Sequence, residues 1–434
     1  MHSQTVREIA GLRGPNRSCK FVDCHDEWGV SRAKREEVGD ESAMWLAIFS
    51  ILLSVIGLFL STWIVLPAPT FFLLPLSVGA PELAPWLLVG NGLATAIAIN
   101  LRSHPIRYVS TGVALLGVGL SCLPLLQLPS VVRDANAAFE QQLGIKVTAL
   151  DPLHPYSWRQ QPFSALDAFR GIPPLSVRHD SAIPFATPAG ILLTLDVYHP
   201  VKASIYPAIV TAYGGAWQRG SRADHAEFNR YMAARGYVVF AISYRHAPQF
   251  QFPAQQEDVR AALDWIERNA ADYGADRDRV AILGRSAGAH LALLQAYSDE
   301  SPPIRAAIDF YGPVDLVQGY QFPPTPDPIN TRTTLETFLG GSPAELLELY
   351  RQASPITYVK EGLPPTLLLY GGRDNVVQAK YGRALAERLL DKGNTALLIE
   401  IPWADHAYDT IFNGVSSQLS LYYIERFLAQ TLGG

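Results

Sequence analysis

A serine at a strand-to-helix corner constrains the fold of this chain more than any other feature. The segment VAILGRSAGAHLALLQAY, residues 280–297, begins as an apolar run and continues as a Leu/Ala-rich helical stretch, and Ser286 lies between Gly284 and Gly288 at the junction. A G-x-S-x-G turn strains the serine backbone, and the glycines are needed because a Cβ would collide with the neighbouring strand and helix. The strain exposes Oγ at the N-terminus of the helix. The pattern predicts a nucleophile on this turn.

Strands and helices alternate around this corner, from about residue 175 to the C-terminus. Helical stretches at 253–269 and 378–392 separate apolar runs of strand length, among them ILLTLDVYHP, PAIVTAYGG, YVVFAISY, VAILGRS, IRAAIDFYG, TLLLYGGRD and TALLIEIP. The alternation predicts an α/β domain, a mostly parallel sheet with helices on both faces. The chemistry of such a sheet lies at the C-terminal ends of its strands.

The partners that a catalytic serine needs are present in the right order. A serine is a poor nucleophile near neutral pH, so it requires a base, and the base requires an orienting acid. Asp374 follows the run TLLLYGG, and His406 follows TALLIEIP in the segment WADHAYD. The order Ser, acid, His at strand ends predicts a triad of Ser286, Asp374 and His406.

Other residues compete for these roles. Asp315, in FYGPVDL, also follows a strand and is the best alternative acid. Asp405 and Asp409 flank the histidine on its own loop and suit the orienting role less well. His290 comes one helical turn after the serine and points along the helix, which favours a packing role at the edge of the site.

Two glycines directly after a strand offer donors for a tetrahedral oxyanion. They are Gly214 and Gly215 in TAYGGAWQRG, residues 211–220, and the backbone N–H of Ala287 at the helix start is a further donor. Backbone N–H groups that point into a cavity can stabilise the charge that develops there. The alternative is an ordinary Gly-Gly turn.

Together the motifs AYGGAW, YRHAPQFQFPAQQEDVRAALDWI, GRSAGAHLAL, GGRDNVV and DHAYD resemble the α/β-hydrolase superfamily. Within it they are similar to the hormone-sensitive-lipase-like and carboxylesterase (feruloyl-esterase-like) group, over residues 175–434. The resemblance implies Ser286 as nucleophile, Asp374 as acid and His406 as base. It further implies an oxyanion hole made by Gly214, Gly215, Ala216 and Ala287.

The chain departs from the family pattern at three positions. Tyr213 stands where the oxyanion motif usually has histidine, and Ala216 stands where it has a third glycine. The backbone donors survive these changes, but the loop must be anchored differently. Arg285 stands before the nucleophile, where an acidic residue or histidine is usual. It either attracts an anionic substrate or pairs with a structural acid, and we favour the second.

An insertion near residues 317–356 is expected to contain a lid, because the stretch 321–341 is rich in proline and then helical. Such segments often shape acyl or alcohol pockets. Four aromatic residues are candidates for the pocket lining, with a place in the core as the alternative: Tyr213, Trp217, Tyr320 and Trp403.

The first third of the chain carries a membrane signal. Residues 43–66 form an uncharged run of about 24 residues, enough to cross a bilayer. Shorter apolar stretches follow at about 85–100 and 108–128, and the alternative for these two is burial in a soluble core. The proline-broken stretch 67–84 between the first two is predicted to be an interfacial or re-entrant loop. An amphipathic helix is predicted for 130–144.

The distribution of lysine and arginine predicts the orientation. These residues are abundant before residue 43, absent between the first two spans and present again at Arg102 and Arg107. The positive-inside rule places both segments in the cytoplasm. Three spans then carry the hydrolase domain to the non-cytoplasmic side, whereas two would leave it inside. The predicted organisation is a disordered tail at 1–42, a transmembrane region at 43–128, a helix and linker at 129–174 and the hydrolase domain at 175–434.

The net charge and the cysteine positions indicate which partners, disulfides and metal sites to expect. The formal net charge of −5 gives no reason to expect a nucleic-acid partner. The three cysteines all precede residue 123, so the hydrolase domain has no disulfide. A metal site at Cys19, Cys24 and His25 lacks a second ligand pair, which favours unpaired thiols in a flexible tail.

The sequence predicts a membrane-anchored serine carboxylesterase that cleaves short to medium acyl esters through an acyl-enzyme. Its partners are a small ester substrate and the lipid bilayer, and the chemistry needs no metal or organic cofactor. The oligomeric state stays open. The alternatives are an isoprenylcysteine-methylesterase-like activity, an amidase or peptidase, and a catalytically silent membrane-tethered binding protein.

Overall fold

A computed structural model describes residues 26–101, 105–147 and 158–433 of the chain. The predictions about Cys19, Cys24, His25 and Arg102 lie outside the described residues, as does part of the predicted linker.

Four α-helices precede the hydrolase domain: α1 (Asp26–Thr62), α2 (Leu74–Glu82), α3 (Ala84–Asn100) and α4 (Ile106–Leu143), with a 3₁₀ turn at Phe71–Leu73. Met44–Thr62 and Ile106–Leu143 are each long and apolar enough to cross a membrane. Phe71–Glu82 and Ala84–Asn100 pass the same test only as a pair, which is bent by 80°. The described part of the chain therefore has two candidate spans, or up to three if the bent pair is one span.

The helices cross two predicted boundaries in this region. Helix α1 begins at Asp26 and so includes residues 26–42 of the predicted tail. Their sequence contains four Glu and two Arg, which have high helix propensity. Helix α4 runs unbroken through Pro124 and Pro129, so the predicted third apolar segment and amphipathic helix are one element. Apolar helices tolerate such prolines because neighbouring groups satisfy the freed carbonyls.

A polar contact joins α1, α3 and α4. The Asn91 side-chain amide donates to Ser61 Oγ at 2.9 Å and to Ser121 Oγ at 3.2 Å. A Cβ at Gly57 or Gly117 would come within 2.2 or 2.4 Å of Asn91 Oδ1. The two glycines make room for the asparagine, in the way that small residues allow close helix packing in membranes.

The hydrolase domain is built on eight strands: β1 (Val177–Ala186), β2 (Leu193–Pro200), β3 (Tyr206–Ala212), β4 (Val238–Ile242), β5 (Ala275–Arg285), β6 (Ala306–Phe310), β7 (Thr366–Gly371) and β8 (Ala396–Ile401). Their order in the sheet is β1-β2-β4-β3-β5-β6-β7-β8. Strand β2 is antiparallel to its neighbours β1 and β4, and all other pairs are parallel. The prediction of a mostly parallel α/β sheet is confirmed.

The helices of this domain are α5 (Ala165–Arg170), α6 (Ala226–Ala233), α7 (Ala254–Asn269), α8 (Ala287–Ala296), α9 (Leu316–Gln321), α10 (Thr331–Leu339), α11 (Pro343–Gln352), α12 (Ala379–Asp391) and α13 (Val415–Leu432). The helices predicted at 253–269 and 378–392 match α7 and α12 to within a residue. Helices α9 to α11 occupy the predicted insertion between β6 and β7.

The N-terminal helices pack directly on the hydrolase domain. The ring of Phe139, at the far end of α4, is fully buried with its centroid 5.3 Å from that of Tyr423 in α13. Glu82 Oε2 accepts a hydrogen bond from the backbone N–H of Ser416 at 2.8 Å. These contacts fix α2 and α4 against helix α13.

Candidate active site

The turn at Ser286 has the strained geometry that the sequence predicted. Ser286 has φ 51° and ψ −120°, between the end of β5 and the start of α8. A Cβ at Gly284 would lie 2.2 Å from the Gly288 carbonyl oxygen, and one at Gly288 would lie 2.3 Å from that of Ala212. Only glycine fits at either position. The close packing around the two glycines holds Ser286 at the junction between β5 and α8.

The structure brings Ser286, His406 and Asp374 into one hydrogen-bonded array. His406 Nε2 is 2.9 Å from Ser286 Oγ, and His406 Nδ1 is 2.7 Å from Asp374 Oδ2. The other carboxylate oxygen of Asp374 accepts from the backbone N–H groups of Val376 and Val377, each at 2.7 Å. These two bonds fix the carboxylate after β7, so that its free oxygen faces the imidazole.

The competing acids are engaged elsewhere. Asp315 caps α9 and accepts from the N–H of Gln318 at 2.9 Å. Asp405 accepts from the backbone N–H of His406 at 2.7 Å, and burial together with the charge of Asp374 raises its pKa. In the described structure neither is hydrogen-bonded to the imidazole. The same holds for Asp409, which faces away from it.

Arg285 pairs with Asp409 inside the domain. Its Nε donates to Asp409 Oδ2, and the Tyr311 hydroxyl donates to Oδ1. The guanidinium also lies 4.6 Å from the ring centroid of Phe228 and 4.8 Å from that of Phe310. Burial alone would raise the pKa of Asp409, but the charge of Arg285 keeps it below the usual value. This geometry supports the structural pairing that we favoured.

The loop after β3 places backbone donors beside the serine. Gly215 has φ 126° and Ala216 φ 54°. Gly214, Gly215, Ala216 and Ala287 line the same cavity as Ser286. Within the described residues, the N–H groups of Gly215, Ala216 and Ala287 make no hydrogen bond. They are therefore available to a ligand oxygen.

Tyr213 anchors this loop from behind. Its ring stacks on Tyr244 with centroids 4.4 Å apart, and the Tyr244 hydroxyl donates to the Tyr213 carbonyl at 2.8 Å. The Tyr213 hydroxyl is 2.9 Å from His246 Nε2. This stacked pair supplies the anchoring that the departure from the family motif required.

Of the four predicted pocket aromatics, only Trp217 lines the cavity. Tyr213 lies behind the loop, the Tyr320 hydroxyl donates to Glu336 at 2.6 Å, and Trp403 Nε1 donates to Ser416 Oγ at 2.8 Å. These three positions fit the alternative of a structural role, because closeness to a motif does not tell which way a side chain points.

His290 holds Trp217 in place. Trp217 Nε1 donates to His290 Nδ1 at 3.2 Å, and the other ring nitrogen bonds the Ala353 carbonyl. Complete burial lowers the pKa of His290 to about 4. The imidazole is therefore neutral and serves as a polar support for the cavity wall, as the packing interpretation expected.

The cavity above Ser286 has a volume of about 560 Å³. Hydrolase residues line most of it, including parts of the insertion such as Leu316 and Leu335. The remaining wall comes from the N-terminal region: Phe71, Leu74, Pro75, Val78 and Gly79. Sequence reasoning missed this wall, because the proline-broken apolar stretch gives no local sign of its contact with the cavity.

Comparison with known proteins shows which proteins this domain is similar to. The BD-FAE family model matches residues 195–389. The chain is 33% identical over 216 residues to Esterase LipQ of Mycobacterium tuberculosis. This match covers 47% of this chain and 50% of that protein. It is 30% identical over 260 residues to Esterase LipC of the same organism, and this match covers 54% of this chain and 62% of that protein. The match thus spans only about half to three fifths of these relatives.

A solved esterase structure is also similar to this domain. Thermogutta terrifontis esterase 2, phosphonylated by sarin, aligns with a TM-score of 0.50 and 25% identity, over 58% of this chain and 94% of that chain. The hydrolase domain of this chain belongs to the α/β-hydrolase superfamily.

Proposed function

We propose that this chain is a membrane-anchored serine carboxylesterase. The observation that carries the proposal is the 2.9 Å contact between Ser286 Oγ and His406 Nε2, with Asp374 on the far side of the imidazole and an apolar cavity in front of the serine. The esterase names of the aligned relatives support an ester as substrate.

The first half of the reaction forms an acyl-enzyme. His406 takes the proton of Ser286 as Oγ attacks the ester carbonyl, and Asp374 stabilises the imidazolium and fixes its tautomer. The C=O electron pair moves to oxygen, and the N–H groups of Gly215, Ala216 and Ala287 are placed to receive that oxyanion. When the C–O bond breaks, His406 protonates the leaving alcohol.

The second half regenerates the serine. Water enters from the cavity, His406 removes its proton, and the hydroxide attacks the acyl carbonyl. The tetrahedral intermediate collapses, the acid leaves, and the proton returns to Ser286 Oγ. Loss of one oxyanion donor in such a site typically costs about 3 kcal/mol of transition-state stabilisation.

The direct test compares two serine variants. Ser286→Ala should abolish hydrolysis of p-nitrophenyl butyrate, whereas Ser204→Ala, on an exposed loop, should leave it unchanged. Both proteins should unfold at the wild-type temperature. Butyrate hydrolysis near the wild-type rate in folded Ser286→Ala protein would remove Ser286 from the mechanism. Turnover of a matched aryl amide as fast as the ester would favour the amidase alternative.

Membrane anchoring and orientation are part of the proposal. The apolar helices α1 and α4 support anchoring, and the bent α2–α3 pair supports a third crossing. With three crossings, the arginine-containing segments face the cytoplasm and the hydrolase domain lies on the other side. External protease should then cleave a tag placed after residue 434 in right-side-out vesicles. Protection of the tag until the membrane is permeabilised would place the domain in the cytoplasm.

A further inference from the structure

The N-terminal wall of the cavity lies outside the segment that matches the family. The BD-FAE match begins at residue 195, whereas Phe71, Leu74 and Val78 belong to the stretch between the first and second apolar helices. Ile411, which comes shortly after His406, lies beside Gly79 in the same lining. The shape of this side of the site is therefore a property of this chain and cannot be carried over from the family.

This wall is fixed to the hydrolase domain. Ser77 is fully buried and lies next to the side chain of Asp405, beside the candidate base. At the other end of α2, Glu82 Oε2 holds the backbone of Ser416 at 2.8 Å. Val78 is buried between Ser77 and Glu82. These buried residues and the hydrogen bond of Glu82 make α2 a fixed wall of the site.

The outer end of the same wall is exposed and apolar. Phe72 is 87% exposed and Phe71 is 49% exposed, and the Phe71 ring carries the Arg219 guanidinium 4.6 Å from its centroid. Val65 and Leu66, directly after α1, are also exposed. Aromatic residues next to a cation at the end of an apolar helix are typical of the membrane–water interface. The wall thus continues from the interface to Ser286.

We propose that the site takes esters with a long apolar chain, which enters from the bilayer and lies along α2. The inference rests on the proposed esterase function and names its substrate class, a membrane-resident amphiphile. An apolar chain that passes from lipid into an apolar cavity stays out of water throughout, so the reactive carbonyl reaches Ser286 without exposing the chain. The chain can belong to the acyl or to the alcohol part of the ester.

Gly79 offers a way to block this path. It lines the cavity, and the nearest heavy atom to a Cβ built there is Ile411 Cδ1 at 3.7 Å, an ordinary contact distance. A leucine at this position must extend into the cavity along the wall. Gly90 in α3 is the matched control, because it is exposed and a Cβ there meets nothing within 4 Å.

The experiment uses the full chain in palmitoyl-oleoyl-phosphatidylcholine vesicles with three substrates: p-nitrophenyl acetate, p-nitrophenyl dodecanoate and dodecyl acetate. Gly79→Leu should reduce kcat/KM for at least one dodecyl substrate by about tenfold more than it reduces kcat/KM for p-nitrophenyl acetate. Gly90→Leu should change none of them. Loss on the dodecanoate places the chain on the acyl side, and loss on dodecyl acetate places it on the alcohol side.

Two results would overturn the inference: unchanged turnover of both dodecyl substrates by Gly79→Leu, or an equal loss on all three by a folded protein. Gly79→Ala needs no rearrangement and therefore serves as the control for misfolding. It should give a smaller loss of kcat/KM in the same direction. Failure of the esterase proposal itself would look different, because p-nitrophenyl acetate would then be turned over equally by wild-type and Ser286→Ala protein.

Discussion

Replacing Arg285 by methionine separates a structural role from a substrate-binding role for the residue before the nucleophile. Arg285 and Asp409 have side-chain exposures of only 3% and 5%. Methionine fills a similar volume but leaves the Asp409 carboxylate with the Tyr311 hydroxyl and with His225, whose Nδ1 is 3.7 Å away. Breaking a buried pair by removing one partner costs about 3–5 kcal/mol. At about 2–4 °C per kcal/mol for a domain of this size, we expect Tm to fall by roughly 6–20 °C.

A double-mutant cycle tests whether the cost comes from the pair. Asp409→Asn keeps an oxygen for Tyr311 but leaves Arg285 unpaired, so it should also destabilise. The variant with both changes should be more stable than the sum of the single effects predicts, by about 1–3 kcal/mol. The low pKa of Asp409 adds a pH signature. Its stabilisation is present above the unfolded pKa of about 3.9 and is lost as pH falls further, so the stability of Arg285→Met should depend less on pH in that range.

The assay is thermal unfolding in detergent, together with kcat/KM for a neutral and an anionic ester, p-nitrophenyl butyrate and p-nitrophenyl hemisuccinate. The structural account predicts a large fall in Tm with similar changes for both esters at a temperature where the variant is folded. A wild-type Tm with selective loss on the hemisuccinate would refute the reasoning and make Arg285 a substrate-binding residue.

Three further outcomes are expected. Asp374→Asn should lower kcat by about 10⁴-fold on p-nitrophenyl butyrate with little change in Tm, because the asparagine favours the wrong histidine tautomer. The pKa of His290 is lowered to about 4, so wild-type stability should fall by about 3 kcal/mol as pH drops from about 6.5 to 4, and unfolding of His290→Phe across that range should lack this component. Asn91→Ala should destabilise the helical bundle by about 1 kcal/mol, read as a lower Tm in detergent, and an unchanged Tm would show that the amide contacts contribute nothing.

The sheet was predictable because its central strands are buried on both faces. Continuous apolar runs such as those of β3 and β5 stand out in a sequence, and the residue after each run is placed at the edge that carries chemistry. That rule places Asp374, Asp315 and His406 at this edge, and the family resemblance favours Asp374 as the acid. Strand β1 was not predicted, because it is an edge strand with exposed polar residues and has no apolar run.

The N-terminal wall of the site could not be predicted because it depends on long-range packing. Prolines made residues 67–84 look like an interfacial loop, and nothing local indicates that Val78 would meet a cavity formed some two hundred residues later. The direction in which a side chain points is equally hard to predict from the sequence. Tyr213 and Trp217 lie four residues apart on one loop, yet only Trp217 faces the cavity, because the positive φ values at Ala216 and Trp217 turn the chain between them.

Covalent labelling tests whether Ser286 is the nucleophile of an ester hydrolase. The purified full chain is treated with a fluorophosphonate, digested and analysed by peptide mass spectrometry, while residual hydrolysis of p-nitrophenyl butyrate is followed in parallel. The account predicts one adduct per chain, on the peptide that contains Ser286, appearing at the rate at which activity disappears. The adduct should be absent from Ser286→Ala protein and present in Ser204→Ala protein. An adduct on another residue, or none at all in a preparation that hydrolyses the ester, would contradict the account.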